Sequence, residues 1–319
     1  VIKEKLQEIA RTVLTEYPGT YPSVEFFAHD TSVLYKVTND QGEEFALKIY
    51  DDNSSQLEDN QVEALMIDAI LAHGVIPVAV ILNNNYGQPT TLYTDAATGT
   101  VYRLVLSRWL AGDDFKDHES EEYFIALGET VADLHEATNH INLPKGLRPK
   151  MWNQVFYFRD EKAVYHEAQY DAQITPEFRD LMDTAVDLLN SKLSQVYSLA
   201  EPQLLHGDLN PGNIKVHNGQ LAILDFEDAI YGPAIQDLAI LLYYYRADDS
   251  FSYESVKKWI FQGYTSKKEV AGWEDSTIES LIMARKVNFL NYVLTLEDDY
   301  QAYIQKGIAE LKYFLQKGT

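Results

Sequence analysis

The sequence predicts an α+β fold in two lobes, a small β-rich N-terminal lobe with one helix and a larger, mainly helical C-terminal lobe. Three observations carry this. A length of 319 residues exceeds what one small core usually holds. Short alternating apolar runs dominate the chain up to about residue 107. Beyond Leu110-Ala111-Gly112, apolar residues recur at helical spacing, interrupted by one hairpin. The division is therefore placed at 1–107 and 108–319, with a hinge about 107–112.

An opening helix near 3–14 aligns Leu6, Ile9, Val13 and Leu14 on one face. Strands are expected at 32–37 and 44–50, separated by Asn39-Asp40-Gln41-Gly42, a hairpin signal. Over 56–73, Val62, Leu65, Met66, Ala69 and Ile70 mark a helix with one buried stripe. Its early acids, Glu58 and Asp59, suit a helix start. Strands near 78–82, 88–93 and 101–107 complete the first lobe. In the second, Phe124, Leu127, Val131 and Leu134 mark a helix over 123–135, and Pro176 opens another. Strands 214–217 and 221–224 flank Asn218-Gly219, a two-residue turn. Helices near 237–245, 255–263, 278–295 and 298–317 finish the chain.

Hydrophobic residues make up 46% of the chain and charged residues 24%, the balance of a soluble globular protein. There is no cysteine, so disulfides, thiolate metal sites and thiol nucleophiles are excluded together. The N-terminus shows no signal pattern, and no apolar run is long enough for a membrane span. The expectation is a cytoplasmic protein without a membrane partner. The chain does not begin with Met, and a few native residues are expected before Val1. A net charge of −23 with no basic cluster argues against nucleic acid as a partner. The acidity favours solubility, and a cationic acceptor is a second reading of it. Nothing in the sequence sets an oligomeric state.

The segment richest in chemistry is His206-Gly207-Asp208-Leu209-Asn210-Pro211-Gly212-Asn213, followed by Ile223-Leu224-Asp225-Phe226-Glu227-Asp228. Phosphoryl transfer asks for metal ions on phosphate oxygens, positive charge, and a group that orients the attacking oxygen. Magnesium takes hard oxygen ligands, often only one or two carboxylates besides the substrate's own phosphates. Asn213 and Asp225 are expected at one end of the same hairpin, where they can converge on one ion. Asp208, on the loop before it, can reach an acceptor hydroxyl.

This block resembles the catalytic loop and metal-binding segment of the aminoglycoside phosphotransferase and choline kinase-like family, relatives of protein kinases. In that family a D-x-x-x-x-N loop is followed, after a hairpin, by Asp-Phe. Residues 232–239, Gly-Pro-Ala-Ile-Gln-Asp-Leu-Ala, are also similar to the bacterial stress-response kinase branch. The resemblance covers nearly the whole chain and implies a bilobal protein kinase-like fold. It implies Asp208 as catalytic base, Asn213 and Asp225 as ligands of Mg2+, and ATP or GTP as phosphoryl donor. Asp237 is implied as the acid that holds the catalytic loop rigid, with His206 packed beneath it.

Phe45-Ala46-Leu47-Lys48 resembles the kinase V-A-I-K strand. Ala46 then leaves room for a purine and Lys48 reaches phosphates, with Glu63 as its expected helix partner. Thr31 and Ser32 stand where a phosphate-covering loop is expected, but no glycine-rich motif is present. Backbone groups near Arg108 and Leu110 face the purine edge. Gly207 replaces the arginine of many protein kinases, and six residues between Asp225 and Gly232 leave no room for an activation loop. Asn210 stands where those kinases commonly carry a lysine. Tyr243, Tyr244, Tyr245 and His135 are read as packing residues.

Three functions follow: a kinase acting on a small-molecule hydroxyl, a Ser/Thr protein kinase of the stress-response type, and a nucleotide-binding pseudokinase. Lys48, Asp208, Asn213 and Asp225 together argue against the third. Glu227, Asp228, Tyr231, Trp273, Asp298, Asp299 and Tyr300 are candidates for contact with the acceptor.

Overall fold

The computed structural model describes residues 2–29, 32–50, 55–159, 161–246 and 250–317. In chain order the elements are α1 (Ile2–Leu14), β1 (Ser23–His29), β2 (Val33–Thr38), β3 (Glu44–Tyr50), α2 (Leu57–His73), β4 (Thr91–Thr94), β5 (Val101–Arg108) and β6 (Asp113–Asp114). There follow α3 (Glu121–Thr138), α4 (Pro176–Val196), β7 (Gln203–Leu205), β8 (Ile214–His217), β9 (Gln220–Ile223) and β10 (Ile230–Gly232). The helices α5 (Ile235–Tyr245), α6 (Tyr253–Lys267), α7 (Asp275–Tyr292) and α8 (Gln301–Lys317) complete the order. No helix among the described residues is long and apolar enough to cross a membrane.

Two compact units divide the chain. The first joins Val1–Asp117, Ile141–Pro149 and Ile214–Glu227. Within it β6 pairs with β8, and the Ile223 N–H donates to the Pro77 carbonyl at 3.4 Å. The unit's main sheet is antiparallel in the order β1-β2-β3-β5-β4. Its core gathers Leu6, Ile9 and Val13 of α1 with Tyr35, Val37, Leu47 and Leu106 of the sheet. Buried Arg103 of β5 ties α2 down, donating to Asn60 Oδ1 at 3.0 Å and to the Ser55 carbonyl at 2.7 Å. Asp59 caps α2 as expected, accepting the Gln56 N–H at 2.8 Å.

The second unit comprises His118–His140, Lys150–Asn213 and Asp228–Thr319. It is helical apart from the short antiparallel pair β7–β10. Helices α3 and α6 cross at Gly128 and Gly263, where a Cβ would run into the backbone of the partner helix. Thr175 caps α4 by accepting the Phe178 N–H at 3.3 Å, with Pro176 at the first turn.

Residues 78–82 form no strand. They contribute one isolated bridge, Ile81 to Ser107, and the Leu82 N–H to the Leu106 carbonyl at 2.8 Å. The sequence reading also passed over β1, whose alternation is lost because Phe26 and Phe27 are both exposed around a register shift between Phe26 and Ala28. It passed over β7 and β10 too, three residues each and almost wholly buried, so no period-two pattern shows.

Candidate active site

In the helical unit, the loop after β7 is fixed from beneath. Asp237, fully buried at the start of α5, accepts the His206 N–H on Oδ2 and the Gly207 N–H on Oδ1, both at 2.8 Å. His135 of α3 sits 3.1 Å from the same carboxylate through Nε2, and its Nδ1 lies 2.9 Å from the Tyr264 hydroxyl. An accepting carboxylate requires the proton on Nε2. Burial alone would raise the Asp237 pKa. The His135 hydrogen bond, the charges of His135 and His206 and the Gly207 N–H outweigh it and hold the carboxyl below its ordinary range. His135 and His206 are core residues, as expected, and Asp237 anchors the loop.

Gly207 is required by geometry. Its φ is +80°, and an added Cβ would lie far inside contact with the Asp228 carbonyl oxygen and 2.9 Å from its carbon. No side chain, arginine included, fits there.

Asp208 is 20% exposed through its side chain and is met by four donors. Oδ1 accepts from the Tyr244 hydroxyl at 2.9 Å and from Arg285 Nη2 at 2.8 Å. Oδ2 accepts from Asn210 Nδ2 at 2.7 Å and from Asn213 Nδ2 at 3.3 Å. Asn213 Nδ2 also bonds the Asp208 carbonyl at 3.0 Å, while Asn210 Oδ1 takes the Gly212 N–H at 2.8 Å. Asn210 therefore braces the loop. Two of these donors, Tyr244 and Arg285, were missed from sequence. Tyr244 was read as packing, and Arg285 lies in α7 among the buried Ala284, Val287 and Leu290. Lys286, Asn288 and Asn291 share that buried stretch, so no local signal singles Arg285 out.

In the first unit, Ala46 and Lys48 lie on one face of β3, both half-buried. Lys48 Nζ pairs with Asp225 Oδ1 at 2.6 Å and Glu227 Oε2 at 3.2 Å. These acids, rather than the expected Glu63, make the direct contacts. Glu63 is buried on α2 and instead accepts from the Tyr50 hydroxyl at 3.4 Å, acting on Lys48 through its charge. Burial would lower the Lys48 pKa, but Asp225, Glu227 and Glu63 reverse that and keep it cationic. Burial pushes Glu63 up to about 7, with Lys48 opposing and Asp225 and Glu227 reinforcing the shift. Asp225 holds a left-handed φ of +66°, a strained choice for a non-glycine residue of the kind that recurs at functional sites.

Ser32 is half-buried just before β2, and Thr31 lies outside the described residues. At the hinge, the Arg108 N–H already donates to the Val80 carbonyl at 2.8 Å and the Trp109 N–H to the Glu44 carbonyl at 3.0 Å. The Arg108 side chain is exposed and pairs with Glu43 at 3.2 Å.

No group of three or more His, Asp or Glu side chains suited to a metal occurs among the described residues. Magnesium does not require one, since one or two oxygen ligands and substrate phosphates suffice. Asp225 and Glu227, 2.6 Å and 3.2 Å from Lys48 Nζ, are hard oxygen donors of the type magnesium takes. Of the residues expected to meet the acceptor, Asp228 is matched by buried Lys150 at 2.9 Å. Trp273 packs its ring 3.7 Å from Phe261, and Asp299 accepts the Gln301 N–H at 2.9 Å.

The model of the phosphotransferase enzyme family matches residues 23–270. The chain belongs to that family. Among relatives of this chain, methylthioribose kinase of Pectobacterium atrosepticum is 35% identical over 78 residues, 24% of this chain and 20% of that protein. Stress response kinase A of Salmonella typhi is 29% identical over 220 residues, 69% of this chain and 61% of that protein. The matched stretches thus span less than two thirds of these curated relatives. An amicoumacin kinase, hAmiN, solved in complex with AMP-PNP, Ca2+ and Ami, superposes with a TM-score of 0.79 at 22% identity, covering 96% of this chain and 93% of that one. The likeness extends the kinase-like α+β fold over nearly the whole phosphotransferase chain.

Proposed function

We propose that this phosphotransferase moves the γ-phosphoryl group of ATP or GTP, with Mg2+, onto a hydroxyl of a small molecule. The observation that carries the reading is Asp208, held by four donors on a loop that buried Asp237 anchors. Preorganisation of this kind suits a group that must orient an attacking oxygen.

In the proposed reaction the acceptor oxygen attacks the γ-phosphorus, the bond to the β–γ bridging oxygen breaks, and the nucleoside diphosphate leaves. Asp208 orients the hydroxyl and takes its proton. A carboxylate offers about four acceptor sites, and all are engaged here. The longest contact, Asn213 at 3.3 Å, is the one an incoming hydroxyl displaces most readily. Lys48 binds the donor's phosphates, and Ala46, Ser32, Thr31 and the backbone at Arg108 and Leu110 are the proposed nucleotide contacts. Glu63 steadies Lys48 by charge.

Asn213 and Asp225 are the proposed metal ligands. The register of Ile214 with Ile223 supports this, since it sets the residue before β8 and those after β9 at one end of the hairpin. When bound, Mg2+ neutralises charge on the phosphate oxygens. The division into a nucleotide-binding lobe and a catalytic lobe near the hinge belongs to the same proposal.

The test is magnesium-dependent transfer from γ-labelled ATP to a panel of amino sugars, amino alcohols and homoserine, with protein substrate in parallel. Label on a small molecule, reduced roughly 10²- to 10⁴-fold in Asp208→Asn, is the expected result. An Asp208→Asn enzyme with full turnover removes Asp208 from the mechanism. A protein acceptor is the second reading, favoured by the 29% identity to stress response kinase A. Label on protein alone would establish it.

A further inference from the structure

We propose that Arg285, reaching in from α7, is a positioning residue for this transfer, pinning Oδ1 of Asp208 and supplying the positive charge that the loop around Asp208 lacks. The inference rests on the phosphotransferase reading. Residues 206–213 contain neither Lys nor Arg, and Asn210 braces the backbone instead. Arg285 is only 3% exposed, and a buried guanidinium persists only where it is paired. Its fork is divided between two partners. Nη2 donates to Asp208 Oδ1 at 2.8 Å and Nη1 to the Tyr157 hydroxyl at 2.9 Å. The Phe289 ring lies beneath it, 4.9 Å from the guanidinium carbon.

Two features separate this from an arginine buried for stability. Asp208 is the carboxylate that Arg285 touches, so the pairing is directed at the proposed base rather than at a neighbouring structural acid. In addition, the Nε–H is buried without a hydrogen-bond partner. An arginine kept for stability is expected to have every buried N–H satisfied, because an orphan donor is costly. The geometry instead gives priority to one contact, with Tyr157 and Phe289 steering the fork and Tyr244 gripping the same Asp208 oxygen.

The test compares full-length wild type, Arg285→Met and Arg285→Lys. Turnover is measured with MgATP, using the best acceptor of the panel and, separately, water. Affinity for MgAMP-PNP is measured by calorimetry and folding by thermal melting. Removing one member of a buried ion pair leaves the other uncompensated and destabilises the fold. Arg285→Met is therefore expected to melt below wild type while still folding at the assay temperature, to bind MgAMP-PNP as wild type does, and to lose roughly 10²-fold in kcat, the scale of one preorganised electrostatic contact. Arg285→Lys keeps the charge but cannot hold Tyr157 and Asp208 at once, and recovers part of the loss. A folded Arg285→Met enzyme with kcat within about threefold of wild type overturns the inference, as does a rise in nucleotide KM at unchanged kcat. Should Arg285→Met not fold, Tyr157→Phe decides: lower kcat at unchanged nucleotide affinity supports the role, and unchanged kcat overturns it. Wild type that transfers phosphate to no acceptor, water included, sinks the phosphotransferase reading as well. An active wild type equalled by Arg285→Met sinks this inference alone.

Discussion

Replacing Gly207 with alanine tests whether the loop under Asp208 is built as tightly as it looks. Two costs add. At φ +80° an alanine pays the left-handed penalty, about 1–2 kcal/mol. The new Cβ would also press into the Asp228 carbonyl, 2.9 Å from its carbon, and backbone cannot yield as a flexible side chain can. Overpacking of that kind costs about 1–3 kcal/mol. The sum, about 2–5 kcal/mol, lowers the melting temperature by roughly 5–15 °C for a unit of this size. Because the Gly207 N–H is one of the two that Asp237 holds, turnover should fall with it. Gly219→Ala serves as control. Its φ is +79°, yet nothing lies within 4 Å of its Cβ position, so it carries the strain without the collision. Melting curves and turnover of the two variants, side by side, separate the terms. If Gly207→Ala melts no lower than Gly219→Ala, the close approach to Asp228 is not what fixes this glycine.

Lys48→Ala leaves Asp225, Glu227 and Glu63 without their cation and should weaken nucleotide affinity, turnover or both; wild-type kinetics would mean that another lysine serves. Asp237→Asn turns one acceptor into a donor facing a backbone N–H, and a loss of about 3–5 kcal/mol is expected, read by denaturant unfolding. Burial pushes Glu161 up to about 7 despite the Phe158 and Tyr157 N–H groups and Asn288. A folded pKa above the unfolded one makes its contribution fully present below about pH 4.5 and lost as pH rises through about 7. Glu161→Gln should therefore gain on wild type between pH 5 and 8, by at most about 3 kcal/mol, and parallel stability curves for the two would refute the shift.

Much of the site was legible because its residues cluster in sequence. Asp208, Asn210 and Asn213 lie on one loop whose spacing is itself the signal, and Asp225 follows a hairpin that Asn218-Gly219 announces. The helices were legible to within a few residues wherever one face is apolar, as in α2, α3 and α4. What escaped depends on long-range partners. Arg285 and Tyr244 reach Asp208 from 77 and 36 residues away, and no local pattern sets either distance apart from ordinary packing. The direct contacts of Lys48 escaped for a related reason. Strand periodicity fixes which face Lys48 occupies, but which of three acids wins depends on side-chain reach, and Glu63 is turned to Tyr50.

That partnership also bears on the phosphate-donor site proposed for the first unit. Three carboxylates act on one ammonium, and buried Glu63 carries a desolvation penalty that Lys48 does not offset. Glu63 shows the consequence, since its pKa near 7 means that a proton relieves part of the repulsion. Asp225 adds backbone strain at the same place. A cluster kept only for stability would tend toward fewer acids, because a buried ion pair seldom outperforms well-packed apolar residues. The charge deficit and the strain both act against folding, and both fall on residues proposed to meet a cation-bearing phosphate donor. Concentrating these costs around Asp225 is what the proposed site for a cation-bearing phosphate donor would require.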